Sequence, residues 1–253
     1  MDVTRTAPAP AELTDGADRP SGVIRHRLST RLWHWLNAVV IIVMLMSGMM
    51  IFNAHPRLYW GQYGANFDPA WLELKSGFPG WATIPSSYDL AGARRWHLAF
   101  AWVLGISSLV YLLIALFNGH LRRDLIPRAR EVAPSHLWQD IKDHARLRFP
   151  TGEAAARYNI LQKLSYGAVI LLLIPALILS GLTMSPAMDA AWPWLLDLFG
   201  GRQSARSIHF ICAALMVLFI LVHLVMVLLA GPVNEITSMI TGRFRLPPEP
   251  ENA

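Results

Sequence analysis

Cysteine is nearly absent from this chain: Cys212 is the only one. That excludes an internal disulfide, a paired-cysteine zinc site and covalent cofactor attachment through a CxxCH motif. Cys212 itself reads as a small apolar residue within a helix. Charge is also scarce, at 15% Asp, Glu, Lys and Arg against 54% hydrophobic residues. An ordinary soluble domain carries more, which places the chain among integral membrane proteins. The formal net charge is +5. The basic residues lie beside apolar runs, a pattern that reads as membrane topology and not as a nucleic-acid-binding face. Residues 1–22, MDVTRTAPAPAELTDGADRPSG, lack the basic start and apolar core of a cleavable signal. They read as a disordered cytoplasmic tail, and the first apolar run then serves as its own uncleaved insertion signal.

What is abundant is hydrocarbon. Runs long enough to cross about 30 Å of lipid occupy about 32–52, 94–117, 161–183 and 205–230. None alternates like a barrel strand, so each is a helix. The expected fold is an all-α integral membrane protein, a four-helix transmembrane bundle. Pro175 predicts a kink in the third span. Arg25, Arg27 and Arg31 precede the first span. Eight basic residues from Arg122 to Arg157 separate the second and third, and Arg243 and Arg245 follow the fourth. The connections 53–93 and 184–204 are poorer in positive charge, so both termini and the 118–160 loop are expected in the cytoplasm. The chain is then expected to cross a membrane several times, in contact with lipid. The transmembrane domain covers 23–245, and 246–253 is a flexible tail. The outer loop 53–93 contains Tyr59, Trp60, Tyr63 and Phe67. Those aromatics predict an ordered cap over the outer end, either a passive lid or a docking surface.

The stretch 207–225, SIHFICAALMVLFILVHLV, carries His209 and His223 fourteen residues apart. On a helix that is about 21 Å, with the two rings within about 40° of one direction. His34, in RLWHWLN, lies near the cytoplasmic end of span one; His97, in RRWHLAF, lies near the outer end of span two. His26, His55, His120, His136 and His144 fall outside the spans and are expected to be solvated. Depth sorts the other four into couples: His97 with His209 outside, His34 with His223 inside. Ionisable groups at such depths mark function. Two neutral imidazoles from different helices at one level are what bis-histidine ligation of a haem b needs. Zinc or copper would need three or four converging ligands, and a proton relay would recruit carboxylates that these spans lack. Two haem b groups, one per layer, are therefore expected. The ring nitrogen not on iron needs a carbonyl or small hydroxyl partner. Gly48, Gly105 and Gly181 would let a porphyrin approach the backbone, or simply pack helices. Arg94, Arg95 and Arg206 outside, and Arg31 and Lys163 inside, are candidate propionate partners or plain flanking charges.

Taken together, RLWHW, RRWH, RYNILQK (157–163), the histidine pair of span four and the SMITGRF that follows resemble a known family. It is that of the bacterial di-haem cytochrome b membrane subunits of nickel–iron hydrogenase, formate dehydrogenase and thiosulfate reductase. The resemblance covers about residues 24–245. It implies that the four histidines ligate two haems b, with a quinone beside the cytoplasmic one. The family's quinone-side motif resembles YNxGQK; Asn159, Gln162 and Lys163 match it, and Leu161 replaces its glycine. From the residues alone, Asn159 and Gln162 lie near one face at the start of span three, and Asn159 reads equally as a helix cap. HPRLYWG looks most like the thiosulfate-reductase branch, which implies a periplasmic catalytic partner of the molybdopterin type. The expected role is an electron-transfer subunit of a membrane oxidoreductase complex, working between that partner and the quinone pool. A stand-alone oxidoreductase passing electrons from a small outer donor such as superoxide to quinone is the alternative. A haem-free anchor, with histidines as polar glue between helices, is a third reading.

Overall fold

A backbone in lipid can satisfy its own N–H and C=O groups only by coiling on itself or closing a barrel. In the computed structural model it coils, giving, among the described residues, four helices long and apolar enough to cross a membrane. The structure describes residues 22–128 and 131–248. The expected disordered tail, apart from Gly22, and residues 249–253 of the expected C-terminal tail lie outside the described residues.

In chain order the elements are β1 (Gly22–Ile24), α1 (Leu28–Asn53), β2 (Arg57–Leu58), β3 (Leu72–Glu73), α2 (Leu90–Phe117) and α3 (Pro134–Ala145). The third span follows as α4 (Ile160–Ala168), a π turn (Val169–Leu173) and α5 (Ile174–Thr183). Then come α6 (Pro186–Ala191), α7 (Pro193–Leu198), α8 (Arg202–Ala230), α9 (Pro232–Thr241) and β4 (Arg243–Arg245). The disturbance expected at Pro175 takes the form of that π turn. Proline has no N–H and crowds the carbonyl four residues back; just before it, Ile174 N–H reaches Val169 O instead of the usual partner.

Packing is closest between α1 and α2 and between α5 and α8, so the bundle is built of two helix pairs. Val40, Leu104, Ile174 and Met216, one from each long helix, meet in a buried apolar core. Met216 lies midway between His209 and His223 along α8, which puts this core between the two histidine levels. Leu109, Leu113, Leu218 and Leu221 are exposed on the outward faces, as helices solvated by hydrocarbon require.

The two ends of the bundle differ. At the end here labelled inner, β1 pairs antiparallel with β4, Val23 opposite Phe244. Gly231, with φ +106°, ends α8 in the left-handed conformation that glycine adopts freely, and Pro232 then starts α9 in a new direction. α9 folds back on α1: Trp35 Nε1 donates to Met239 O at 3.1 Å, Arg31 donates to Ile240 O, and Arg25 pairs with Glu235 at 2.9 Å. The sequence reading had no helix or strand here.

At the outer end the long loop is ordered and latched to the first turns of α8. Gly61 O accepts from the N–H groups of Gln203 and Ser204 at 3.0 and 3.1 Å, capping donors that a helix start leaves free. Arg206 donates to the carbonyls of His55 and Arg57. Ser207 donates to Tyr59 O at 2.5 Å and accepts from Trp71 Nε1 at 2.9 Å. Leu58 and Tyr59 are buried beneath it.

Candidate functional site

His97 of α2 and His209 of α8 face each other with ring centroids 6.1 Å apart and planes at 65°. Each ring is held from the neighbouring helix of its own pair, and in the same way. Ser47 Oγ lies 3.0 Å from His97 Nδ1, and Ser180 Oγ lies 3.0 Å from His209 Nδ1. Both serines are completely buried. Each also meets the carbonyl four residues back on its helix, Val43 O at 2.7 Å and Ala176 O at 2.5 Å.

The glycine after each serine completes the arrangement. A Cβ on Gly48 would stand 3.3 Å from His97 Cε1, and one on Gly181 the same 3.3 Å from His209 Cε1. The edge of an imidazole thus lies close to each of these two glycines, where a larger side chain would crowd it. Among the described residues, nothing beyond its own stretch of helix lies within 4 Å of a Cβ built on Gly105, so no neighbouring helix packs on it.

The second couple is built differently. His34 of α1 and His223 of α8 have centroids 6.3 Å apart and planes at 61°. Phe219 stacks on His223 at 5.7 Å, Tyr166 stands edge-on to it at 6.2 Å, and Trp35 is edge-on to His34 at 5.2 Å. His34 Nδ1 is buried without a hydrogen-bond partner among the described residues. Thus the structure brings all four intramembrane histidines into the two expected couples.

Two histidines expected in water are not there. His26 and His120 are 7% and 8% exposed. The β1–β4 pairing tucks His26 under the bundle, with its Nδ1 3.2 Å from the Tyr158 hydroxyl. His120 sits where the chain turns after α2, its Nδ1 2.7 Å from Asp124. Burial, and then the adjacent Arg25 guanidinium, push the His26 pKa down to about 4. His136 is exposed, and His55 and His144 are half-buried.

The remaining candidates divide. Lys163 is engaged by Glu131 at 2.8 Å, Arg206 by the loop carbonyls and Arg31 by Ile240 O. Arg94 and Arg95 are exposed in the turn before His97. Asn159 and Gln162 form a reciprocal capping box at the start of α4: Gln162 N–H donates to Asn159 Oδ1 at 2.8 Å, and Asn159 N–H to Gln162 Oε1 at 3.2 Å. Asn159 also lines a cleft of about 400 Å³ with Glu131, Asp140, Arg157 and Tyr158.

Sequence reasoning missed Ser47 and Ser180. The signal was present as a repeated Ser-Gly step in two apolar spans, at 47–48 and 180–181.

A multi-pass helical bundle that couples partly buried imidazoles at two levels defines a class of membrane protein organised around its histidines. The prokaryotic cytochrome b561 family matches residues 25–242, and the chain belongs to it. It is 31% identical over 215 residues to a putative protein-methionine-sulfoxide reductase subunit, YedZ1, of Azospira oryzae, covering 84% of this chain and 93% of that protein. It is 25% identical over 249 residues to a probable Ni/Fe-hydrogenase B-type cytochrome subunit of Azotobacter vinelandii, covering 93% and 94%. With the corresponding subunit of Cupriavidus necator the identity is 23% over 225 residues, covering 84% and 82%. No solved structure matches. The chain is a multi-pass membrane cytochrome b subunit of a redox complex, and its family implies haem b.

Proposed function

We propose that this subunit carries electrons between a catalytic partner at the outer end of the bundle and quinone at the inner end, through two haem b groups. His97 and His209 ligate the outer haem; His34 and His223 ligate the inner one. The observation that carries this reading is the spacing within each couple. A metal–imidazole bond is about 2 Å, so imidazoles from two helices that face each other across about 6 Å leave room for one metal ion, which a haem b would supply. The couples stand at 6.1 and 6.3 Å.

Each bound haem supplies a one-electron iron couple. The protein supplies ligand orientation and a dry path between the levels. Ser47 and Ser180 orient the outer rings, and aromatic contacts orient the inner ones. The apolar core around Val40, Leu104, Ile174 and Met216 keeps water and mobile charge out of the space between the levels. A charge crossing the whole membrane exchanges about 2.3 kcal/mol per 100 mV with the potential. Arg94 and Arg95 are the propionate partners of the outer haem, since Arg206 is engaged by the loop carbonyls. The quinone head binds in the cleft that Asn159 lines, whose volume of about 400 Å³ is in the usual range for small-molecule sites; Gln162 serves there by holding Asn159 in its cap. The positive-inside pattern supports an inner end in the cytoplasm. On the outer side the partner is a periplasmic catalytic subunit. The higher identity to a methionine-sulfoxide reductase subunit than to hydrogenase cytochromes favours a reductase of the molybdopterin type.

A reduced-minus-oxidised visible spectrum of the purified protein, with its haem-to-protein ratio, tests the assignment. The native protein should hold two low-spin haems b, with His209→Ala lacking one and His223→Ala lacking the other. If either variant keeps both, the pairing is wrong. A chain recovered from native membranes alone and fully active would instead favour the stand-alone oxidoreductase.

A further inference from the structure

We propose that Ser47 and Ser180 are a matched pair of positioning residues. Each holds the histidine opposite it as an Nδ1–H donor with Nε2 free for iron, and together they lower the reduction potential of the outer haem. This rests on the ligation reading above.

The proton inventory decides the direction of the serine–histidine bonds. A serine hydroxyl has one proton. Two oxygens 2.7 Å apart, as for Ser47 and Val43 O, or 2.5 Å apart, as for Ser180 and Ala176 O, need a proton between them. The carbonyl has none, so the hydroxyl donates to it. What faces each imidazole at 3.0 Å is then an oxygen lone pair, and Nδ1 must be the donor. A Cβ on Gly48 or Gly181 would crowd the Cε1 edges, so glycine leaves each ring its place beside its serine.

The same step occurs in both helix pairs: serine then glycine on one helix, histidine on the other. It occurs only at the outer level among the described residues, since His34 Nδ1 has no partner. A hydrogen bond from the remote N–H makes Nε2 a stronger donor to metal, which favours ferric over ferrous iron. The outer haem is thereby held at a lower potential than unheld imidazoles would give it.

Redox titration of the purified protein tests this, the outer haem being the one that His209→Ala removes. Ser47→Ala and Ser180→Ala should each raise the outer midpoint and leave the inner one in place. A tenfold loss of ferric preference would appear as about 59 mV for a one-electron couple. Ser47→Thr and Ser180→Thr, which keep the hydroxyl, should stay close to native. If the alanine variants lose the outer haem while the threonine variants keep it, the hydroxyl hold is supported. Loss in both kinds of variant would assign the serines to packing alone and overturn the proposal. Two retained haems with unmoved midpoints would also overturn it, leaving the ligation reading intact. If His209→Ala removes no haem, the ligation reading fails first.

Discussion

The two histidine levels use the same ligand type at nearly the same spacing, yet they are held by unlike means. At the outer level each ring is fixed within its own helix pair, by a serine lone pair and a glycine surface. That hold needs only α1 against α2 and α5 against α8. At the inner level His34 and His223 rest among Trp35, Tyr166 and Phe219. Close by, β1, β4 and α9 return over the bundle and are pinned by the Arg25–Glu235 pair. The outer site is thus locally specified, whereas the inner site depends on how distant parts of the chain close over it. Hydrogen bonds in a low-dielectric interior hold orientation strongly; aromatic contacts fill space with less directional force.

Removing ligands should separate the levels most sharply. His97→Ala should cost the same haem as His209→Ala, and His34→Ala the same as His223→Ala, so that the ratio of haem to protein falls from two to one in each. A variant that loses the haem of the other level would dissolve the comparison.

Next in size is the inner clamp. The Arg25 side chain is 6% exposed and that of Glu235 20%. Leaving a buried charge without its partner costs about 3–5 kcal/mol. Glu235→Gln should therefore lower the thermal midpoint in detergent, with the inner haem released before the outer one. Simultaneous release would mean that the inner end is no more dependent on its termini than the outer end is.

The inner end should also be the acid-sensitive one. His26 has its pKa pushed down to about 4 by burial and by Arg25, against about 6.5 in an unfolded chain. Between those values the unfolded state binds the proton and the folded state does not. Stability is thus fully present above pH 6.5, falls as the pH drops, and is reduced by about 3 kcal/mol at most once pH 4 is reached. Thermal midpoints across this range should slope in the native protein and flatten in His26→Phe.

The smallest effect sharpens the outer side. Gly181→Ala places a Cβ 3.3 Å from His209 Cε1. The ring must give by a few tenths of an ångström, at a cost of about 1 kcal/mol, visible as a shifted outer-haem midpoint or band. Gly105→Ala meets nothing beyond its own stretch of helix within 4 Å among the described residues and should leave the Ser–His contacts, and so the outer-haem midpoint that they set, unchanged.

Much of this was legible in the residues. The spans came through because lipid forces a long uncharged run to be a helix, and the helices extend the expected ranges by only a few residues at either end. The couples were legible because fourteen residues on one rigid rod set both depth and direction. The capping box was legible as the N-x-x-Q pattern at Asn159 and Gln162, though it competed there with a quinone role. His26 and His120 were misread because lying outside a span says nothing about whether another segment covers the residue. Ser47 and Ser180 went unread because a serine in an apolar helix usually bonds back to its own turn. These two do so as well, and only the helix opposite shows that a second bond is made.

The sequence by itself determined the membrane, the number of crossings and the level of each imidazole, because those follow from hydrophobic length and helical rise along one continuous chain. The tertiary structure alone decided which atoms hold each ring. It also decided that the described chain ends close over one level and not the other. Hydrogen bonds act over about 3 Å, and residues 29 or 50 positions apart come within that distance only when helices pack.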